Sequence, residues 1–153
     1  MLHKTMDLDW SSTDLGPIDS WPDALKSSAR LVLAASMPLA LLVGPSGTLI
    51  YNDAVMQIFA GIGSDGLGKS VLDVLSSAAS FYRNVIASCA AGETRSFRDQ
   101  VLKVERNGGA ETAWFDLDFT PVIERDGTYS AVMVHAFETT EKVRTRRALE
   151  RSE

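Results

Sequence analysis

The chain has 153 residues, of which 45% are hydrophobic and 23% are charged, as is usual for one globular domain with its own core. Its net charge of -5 argues against a general affinity for nucleic acid or anionic lipid. The only cysteine, Cys89, excludes an internal disulfide bond and favours a reducing compartment. Because no stretch has the length of a membrane span or the pattern of a secretory signal, we expect a cytoplasmic protein without membrane insertion.

The first predicted elements are a helix and a β-hairpin. Pro22 suits the first turn of a helix in which Leu25, Ala29 and Val32 recur on one face. Pro38 ends this amphipathic helix. The apolar runs "LALLV" and "TLIYN" then predict two strands, because the turn residues "GPSG" separate them.

Helical patterns follow the hairpin. Asn52 or Asp53 can cap a helix that ends at Gly61 and Gly63, and a short helical piece, "SVLDVLSS", comes after it. A longer helix is predicted over "SFYRNVIASCAAGE", because its apolar residues recur at helical spacing as far as Gly92.

The last third of the chain predicts three strands, which the turn signals "NGG" and "RDG" divide. In the middle run, "AWFDLDFT", one face is apolar and the other is mostly polar. Residues 129–137 are apolar on both faces, as expected of a central strand. Together the elements predict an α+β fold with a five-stranded antiparallel sheet and helices on one face.

One string, "GSDGLGKS" at residues 63–70, fits the G-x-x-x-x-G-K-[ST] pattern of a phosphate-binding loop. Such a loop must leave a strand of a parallel sheet and enter a helix, so that free N–H groups meet the phosphates. Here a predicted helix precedes it and no parallel sheet is expected. A nucleotide-binding protein is therefore the less favoured interpretation, and a connection between helices is favoured.

Several short motifs, in one order, resemble those of PAS domains. The stretch "TLIYNDAVMQIFAG" is similar to the second strand and first core helix of the family, which residues like Asn52 and Ala54 open. "GLGKS", with Gly68, resembles the Leu-Gly-Lys/Arg connection of the family. "FETTEKV" resembles its Asp-Ile-Thr-Glu signature, although Glu138 and Thr139 replace the Asp and the Ile.

The likeness spans residues 12–149, and its leading segment is similar to PAS modules ahead of bacterial sensor histidine kinases. The resemblance implies strand order 2-1-5-4-3, with an N-terminal extension and cap helix at 1–36, a PAS core at 37–140 and a linker helix from 141–153. It also implies that a signal leaves through the end of the last strand, at Glu138, Thr139, Thr140 and Glu141.

The function implied by the resemblance is that of a sensory module in a bacterial two-component signalling protein, without catalysis of its own. It would relay a ligand or a conformational state to a downstream output domain. A ligand-free module for dimerisation and relay is the alternative. We expect a homodimer, and its contacts would be Trp21, Leu25 and Trp114, unless the leading helix is an ordinary cap within one chain.

A ligand cavity between the helices and the sheet is a further expectation, and packed core explains the same residues equally well. Its predicted walls are Leu41, Ile50, Phe59, Tyr82, Ile86, Phe115, Leu117 and Met133.

The cofactor that such a cavity holds stays open, but the residues disfavour a covalent flavin adduct and haem. A flavin adduct needs a reactive cysteine, which "GKSVLDVL" lacks, and Cys89 is interpreted as a small buried hydrophobe. Haem needs an axial ligand such as histidine, and the resemblance to PAS haem proteins implies that it would come from the helix "FYRNVIASCAAGE", which has no histidine. His135 is interpreted as structural, Asp116 and Asp118 as a solvated or partner-facing surface, and no residues have metal-ligand spacing.

Overall fold

The computed structural model describes residues 9–58, 65–106 and 108–152. Five strands form one antiparallel sheet in the order β2-β1-β5-β4-β3, which confirms the predicted topology. The strands are β1 (Leu39–Val43), β2 (Thr48–Tyr51), β3 (Arg95–Arg106), β4 (Gly109–Ile123) and β5 (Tyr129–Glu138).

Five α-helices accompany the sheet in the described residues, and they follow the predicted order. They are α1 (Asp23–Ala34), α2 (Asp53–Ile58), α3 (Val71–Val74), α4 (Ala79–Ala90) and α5 (Thr140–Ser152). Gly61 and Gly63, which were predicted to end α2, lie outside the described residues. Short 3-10 turns occur at Trp10–Ser12, Ile18–Ser20 and Ser76–Ala78.

Helices cover at least part of each face of the sheet, and strand alternation assigns each side chain to one face. On β4 the side chains of Ala113, Phe115 and Leu117 are buried in the inner core, beneath α2, α3 and α4. The central strand β5 is apolar on both faces, as predicted. Its Val132 belongs to the inner core, whereas Met133 belongs to the outer core.

Helix α1 and the segment before it cover the outer face. Val32 of α1 is fully buried there, and Trp10 packs edge-on against Trp21 with ring centroids 5.2 Å apart. The predicted amphipathic helix is thus a cap on the sheet of its own chain.

A distant carboxylate caps the N-terminus of α1. Pro22 occupies the N-cap position and offers no capping side chain. Instead, the Glu124 carboxylate, from the turn between β4 and β5, accepts hydrogen bonds from the N–H groups of Ala24 (2.9 Å) and Leu25 (3.1 Å). This placement satisfies two open donors of the helix and suits the positive end of its dipole.

Asn52 joins the C-terminal end of α1 to the start of α2. Its side-chain amide donates to the carbonyls of Val32 (2.9 Å) and Met37 (2.8 Å). Its side-chain oxygen accepts from the N–H of Val55 (3.2 Å), so Asn52 is the N-cap of α2. The side chain is only 2% exposed, and these bonds therefore lie in a site that water hardly reaches.

The turn between β1 and β2 lies directly against the helices. A Cβ atom on Gly47 would come within 2.7 Å of Val71 Cγ1 and 2.9 Å of Ile86 Cδ1, and its φ is +64°. Only glycine fits this close approach of the turn to α3 and α4.

We expect Asn52→Ala to lower the free energy of unfolding by about 2–3 kcal/mol, because the Val32 and Met37 carbonyls lose a donor and α2 loses its cap. Urea unfolding followed by tryptophan fluorescence measures the change. Asn84→Ala removes the same groups from an exposed position of α4 and should change stability by less than about 0.5 kcal/mol. Equal losses in the two variants would contradict the role of Asn52.

The substitution Gly47→Ala should destabilise the protein more than Gly44→Ala, by about 1–3 kcal/mol from overpacking. Both glycines have positive φ, at +64° and +71°, so both variants carry the same kind of backbone strain. Nothing lies within 4 Å of a Cβ on Gly44, so only Gly47 adds a clash. The urea midpoints of the two variants test the difference, and coinciding midpoints would refute it.

Candidate functional site: an apolar cavity and a helix junction

An apolar cavity of about 70 Å³ lies between the inner face of the sheet and the helices. All five strands contribute to one wall, and α2, α3 and α4 contribute to the other. Residues that line it include Ala40, Leu42, Leu49, Val71, Phe119 and Val134. None of the described lining residues carries a charge.

Half of the predicted cavity residues lie on the inner side of the sheet. Tyr82 and Leu117 line the cavity, whereas Ile86 and Phe115 are buried in the surrounding inner core. Phe59 lies outside the described residues.

Three predicted cavity residues lie on the opposite face, and this corrects the sequence-based set. Leu41, Ile50 and Met133 pack in the outer core beneath α1. Successive residues of a strand point to opposite faces. The cavity is therefore lined by chain neighbours of these residues, such as Leu42 and Leu49.

Tyr51 and Tyr82 supply the polar side-chain atoms among the described residues that line the cavity. The Tyr51 hydroxyl accepts a hydrogen bond from the N–H of Gly66 at 3.1 Å, and burial raises its pKa. Tyr82 packs edge-on against Phe81 and Phe119, and burial raises the pKa of its hydroxyl to about 12. Both hydroxyls are therefore neutral at physiological pH.

Cys89 is fully buried on α4, which confirms its interpretation as a small hydrophobe. Its thiol donates to the Phe119 carbonyl at 3.7 Å, and burial raises the thiol pKa.

His135 lies opposite Asp118 in the β4/β5 register. Hydrogen bonds from Arg98 and Ser96 lower the pKa of Asp118, so this surface carboxylate already has partners. Within residues 9–58, 65–106 and 108–152 there is no group of three His, Cys, Asp or Glu side chains placed to hold a metal ion.

The described part of the phosphate-loop string, residues 65–70, runs beside the edge strand β2. The N–H of Gly68 donates to the Leu49 carbonyl, and the N–H of Leu49 donates to the Lys69 carbonyl, both at 2.9 Å. The Ser70 hydroxyl donates to the Ser46 carbonyl at 2.6 Å and caps α3. The Gly68 N–H and the Ser70 hydroxyl, two groups that a phosphate would need, are thus engaged within the chain, which argues against the nucleotide-binding interpretation.

The predicted relay residues form the junction between β5 and α5. The N–H of Thr139 donates to the Trp114 carbonyl at 2.7 Å, and the Trp114 N–H donates to the Thr140 hydroxyl oxygen at 3.0 Å. That hydroxyl donates in turn to the Glu138 carboxylate at 2.6 Å. Glu141 is exposed in the first turn of α5. The first turn of α5 is therefore tied to the backbone of β4.

Asp99, which the sequence analysis did not identify, also holds α5. It occupies a bulge of β3 with φ +49°, and its N–H donates to the Asp116 carboxylate at 2.9 Å. Its own carboxylate lies 3.2 Å from Lys142 Nζ and 3.5 Å from an Arg146 guanidinium nitrogen. The neighbouring Thr139 hydroxyl and Lys142 ammonium lower the pKa of Asp99. The spacing of four residues between the two bases was the available signal, because it places them on one helix face.

Two further contacts hold α5 against the sheet. Val143 is 1% exposed, and the Arg147 guanidinium stacks over the Trp114 ring, 5.1 Å from its centroid. The remainder of α5 is exposed to solvent, including Leu149 at 62%.

The predicted dimer residues do not share a surface. Trp21 and Leu25 are buried in the outer core of their own chain, as the alternative of an intrachain cap implies. Trp114 is ten residues along β4 from the Glu124 turn that caps α1, which corresponds to roughly 30 Å of strand. A dimer contact that uses all three residues would need α1 to leave the sheet.

Among the described residues, no helix has both the length and the apolar character that crossing a membrane requires.

Solved structures with the same architecture include three with informative descriptions. An RNA-binding Light-Oxygen-Voltage receptor matches with a TM-score of 0.60 and 20% identity, over 91% of this chain but only 40% of the receptor chain. The PAS domain of Bordetella pertussis BvgS matches with a TM-score of 0.56 and 18% identity, over 84% of this chain and 98% of that domain. A sensory box sensor histidine kinase from Vibrio cholerae matches with a TM-score of 0.52 and 15% identity, over 74% of this chain and 90% of that chain. At such identities the likeness establishes the fold.

No curated protein matches the chain. The family model described as the PAS fold matches residues 33–144, which include all five strands and the first turn of α5. Together with the strand order, this match establishes that the chain belongs to the PAS fold family.

Proposed function

We propose that this PAS domain is a sensory module of a bacterial signal-transduction protein, and that it relays the state of its cavity through α5 to an output domain. The observation that carries the proposal is the continuity of β5 with α5. Val134 and Ala136 of β5 line the cavity, and α5 begins at Thr140. Only roughly 13 Å of extended chain separates Ala136 from the helix.

The contacts of α5 support a role as a relay. Lys142 and Arg146 are held by Asp99, whose backbone occupies a bulge of β3, and Arg147 is held by Trp114 of β4. A shift of β5 relative to β3 and β4 therefore changes the set of contacts that holds the helix. Elements with two alternative sets of contacts are what a relay needs.

A histidine kinase is the output domain that we propose. The leading segment of the chain resembles PAS modules ahead of such kinases, and one of the similar structures is a sensor histidine kinase from Vibrio cholerae.

We further propose that the protein is cytoplasmic and that it acts as a homodimer. The exposed Leu149 on the free part of α5 supports pairing with the same helix of a second copy. PAS domains are generally sensory and non-catalytic, and we assign no catalytic step to these residues.

The small volume of the cavity favours a second candidate function. A cavity of about 70 Å³ leaves little space for a ligand among close-packed core side chains. A module that pairs and relays without a ligand would need no more than this space.

The substitution Asp99→Asn should loosen α5, because it removes the charge that attracts Lys142 and Arg146 while it keeps the side-chain shape. We expect hydrogen exchange of the α5 backbone amides to accelerate about two- to fivefold. Mass spectrometry of the exchanged peptides measures the effect. Asp19→Asn makes the same change at an exposed site far from α5 in the sequence and should leave α5 unchanged. If Asp99→Asn and the wild type exchange alike in α5, then Asp99 does not hold the helix.

The same contact should depend on pH. Since the pKa of Asp99 is lowered in the folded protein, its carboxylate contributes stability above the ordinary aspartate pKa of about 3.9. This contribution is lost as pH falls through the lower folded pKa. NMR peak positions of Val143 and Arg146 should therefore differ between wild type and Asp99→Asn at neutral pH and converge in acid. A difference that persists unchanged at the lowest pH at which the protein stays folded would rule out this origin.

A further inference from the structure

The lining of the cavity limits the chemistry of anything that it can hold. The residues that line it are aliphatic or aromatic, and the described ones include no charged side chain and no amide side chain. A charged ligand would lose its hydration there without gaining a partner, which is strongly unfavourable. Organic acids, phosphates and ammonium compounds are therefore poor occupants.

Within the described parts of the chain, one polar side chain at the cavity has no hydrogen-bond partner. The Tyr82 hydroxyl makes no hydrogen bond with any described residue, whereas the Tyr51 hydroxyl already accepts from Gly66. Because the Tyr82 phenol is neutral, it can donate one hydrogen bond to an uncharged acceptor. The site thus suits an apolar molecule that carries at most one weak acceptor.

The volume limits the size. An engineered apolar cavity of about 150 Å³ in another protein holds benzene or xenon, which corresponds to roughly 25 Å³ for each carbon of benzene. At that ratio a cavity of about 70 Å³ has room for about three non-hydrogen atoms. Flavins, haem and other planar cofactors are many times larger than this space.

We infer that the cavity binds a small, uncharged, apolar molecule of about three non-hydrogen atoms, the size of a dissolved gas or a short hydrocarbon. This inference rests on the proposed sensory function and specifies the ligand class of the same site. So few atoms bind no more tightly than about millimolar, even at the best efficiency seen for small ligands. The ligand must therefore exchange rapidly, and it fills the cavity only when its concentration is in the millimolar range or above.

Xenon is a suitable probe, because it is apolar, uncharged and of the right size. We expect methyl NMR signals of Leu42, Leu49 and Val134 to shift saturably as xenon pressure rises, while signals of Leu41 on the outer face stay fixed. Ala40→Leu adds three carbons at the cavity wall and should abolish the shifts. Ala87→Leu adds the same carbons at an exposed site of α4 and should preserve them. Ala136→Val is a smaller filling variant that should weaken them, in case Ala40→Leu does not fold.

The outcomes separate the ligand class from the proposed function. The absence of a saturable shift at these methyls in the wild type would overturn the ligand class. So would stoichiometric binding of flavin mononucleotide or haem that moves the same signals. Neither result bears on the relay, which the Asp99→Asn exchange experiment tests separately. If xenon shifts the cavity signals and the α5 amide signals together, the result supports the ligand class and the relay. If it shifts the cavity signals and leaves the α5 amide signals unchanged, the result supports the ligand class alone.

Discussion

The buried side chain of Asn52 is the interaction on which the two halves of this fold depend. One amide satisfies the Val32 carbonyl in the last turn of α1 and the Met37 carbonyl just before β1, and it caps the first turn of α2. Helix α1 covers the outer face of the sheet and α2 covers the inner face. The two layers are therefore joined by a residue at the end of β2, and neither helix can move far without breaking bonds that water cannot replace.

Most of the helices and strands could be predicted from the sequence, because turn signals and hydrophobic periodicity depend on residues that are close together in the chain. The strand order required the resemblance to PAS domains as well. The face of each strand residue was harder to predict. In β1 and β2 nearly every residue is apolar, so alternation gives no sign of which face Leu41 or Ile50 occupies, and both were assigned to the wrong side. In β4, where Asp116 and Asp118 alternate with apolar residues, Leu117 was placed on the correct face.

The contacts that hold α5 depend on a feature that local patterns do not reveal. Asp99 reaches Lys142 and Arg146 because a bulge interrupts the pairing of β3 with β4 and turns its backbone to a positive φ. Asp is among the few residues that accept this conformation with little strain. A bulge is visible only when two strands are aligned. The cavity and this junction are thus connected by β5 and β4, elements whose positions were predicted although the Asp99 contact was not.

The capping of α1 by Glu124 has a consequence for the order in which the chain folds. Residues 24 and 124 are separated by 100 positions, so this bond forms only after the turn between β4 and β5 is in place. A twelve-residue helix is marginal in water when it stands alone. Helix α1 therefore gains its N-terminal cap only on a sheet in which β4, β5 and the turn between them are already formed.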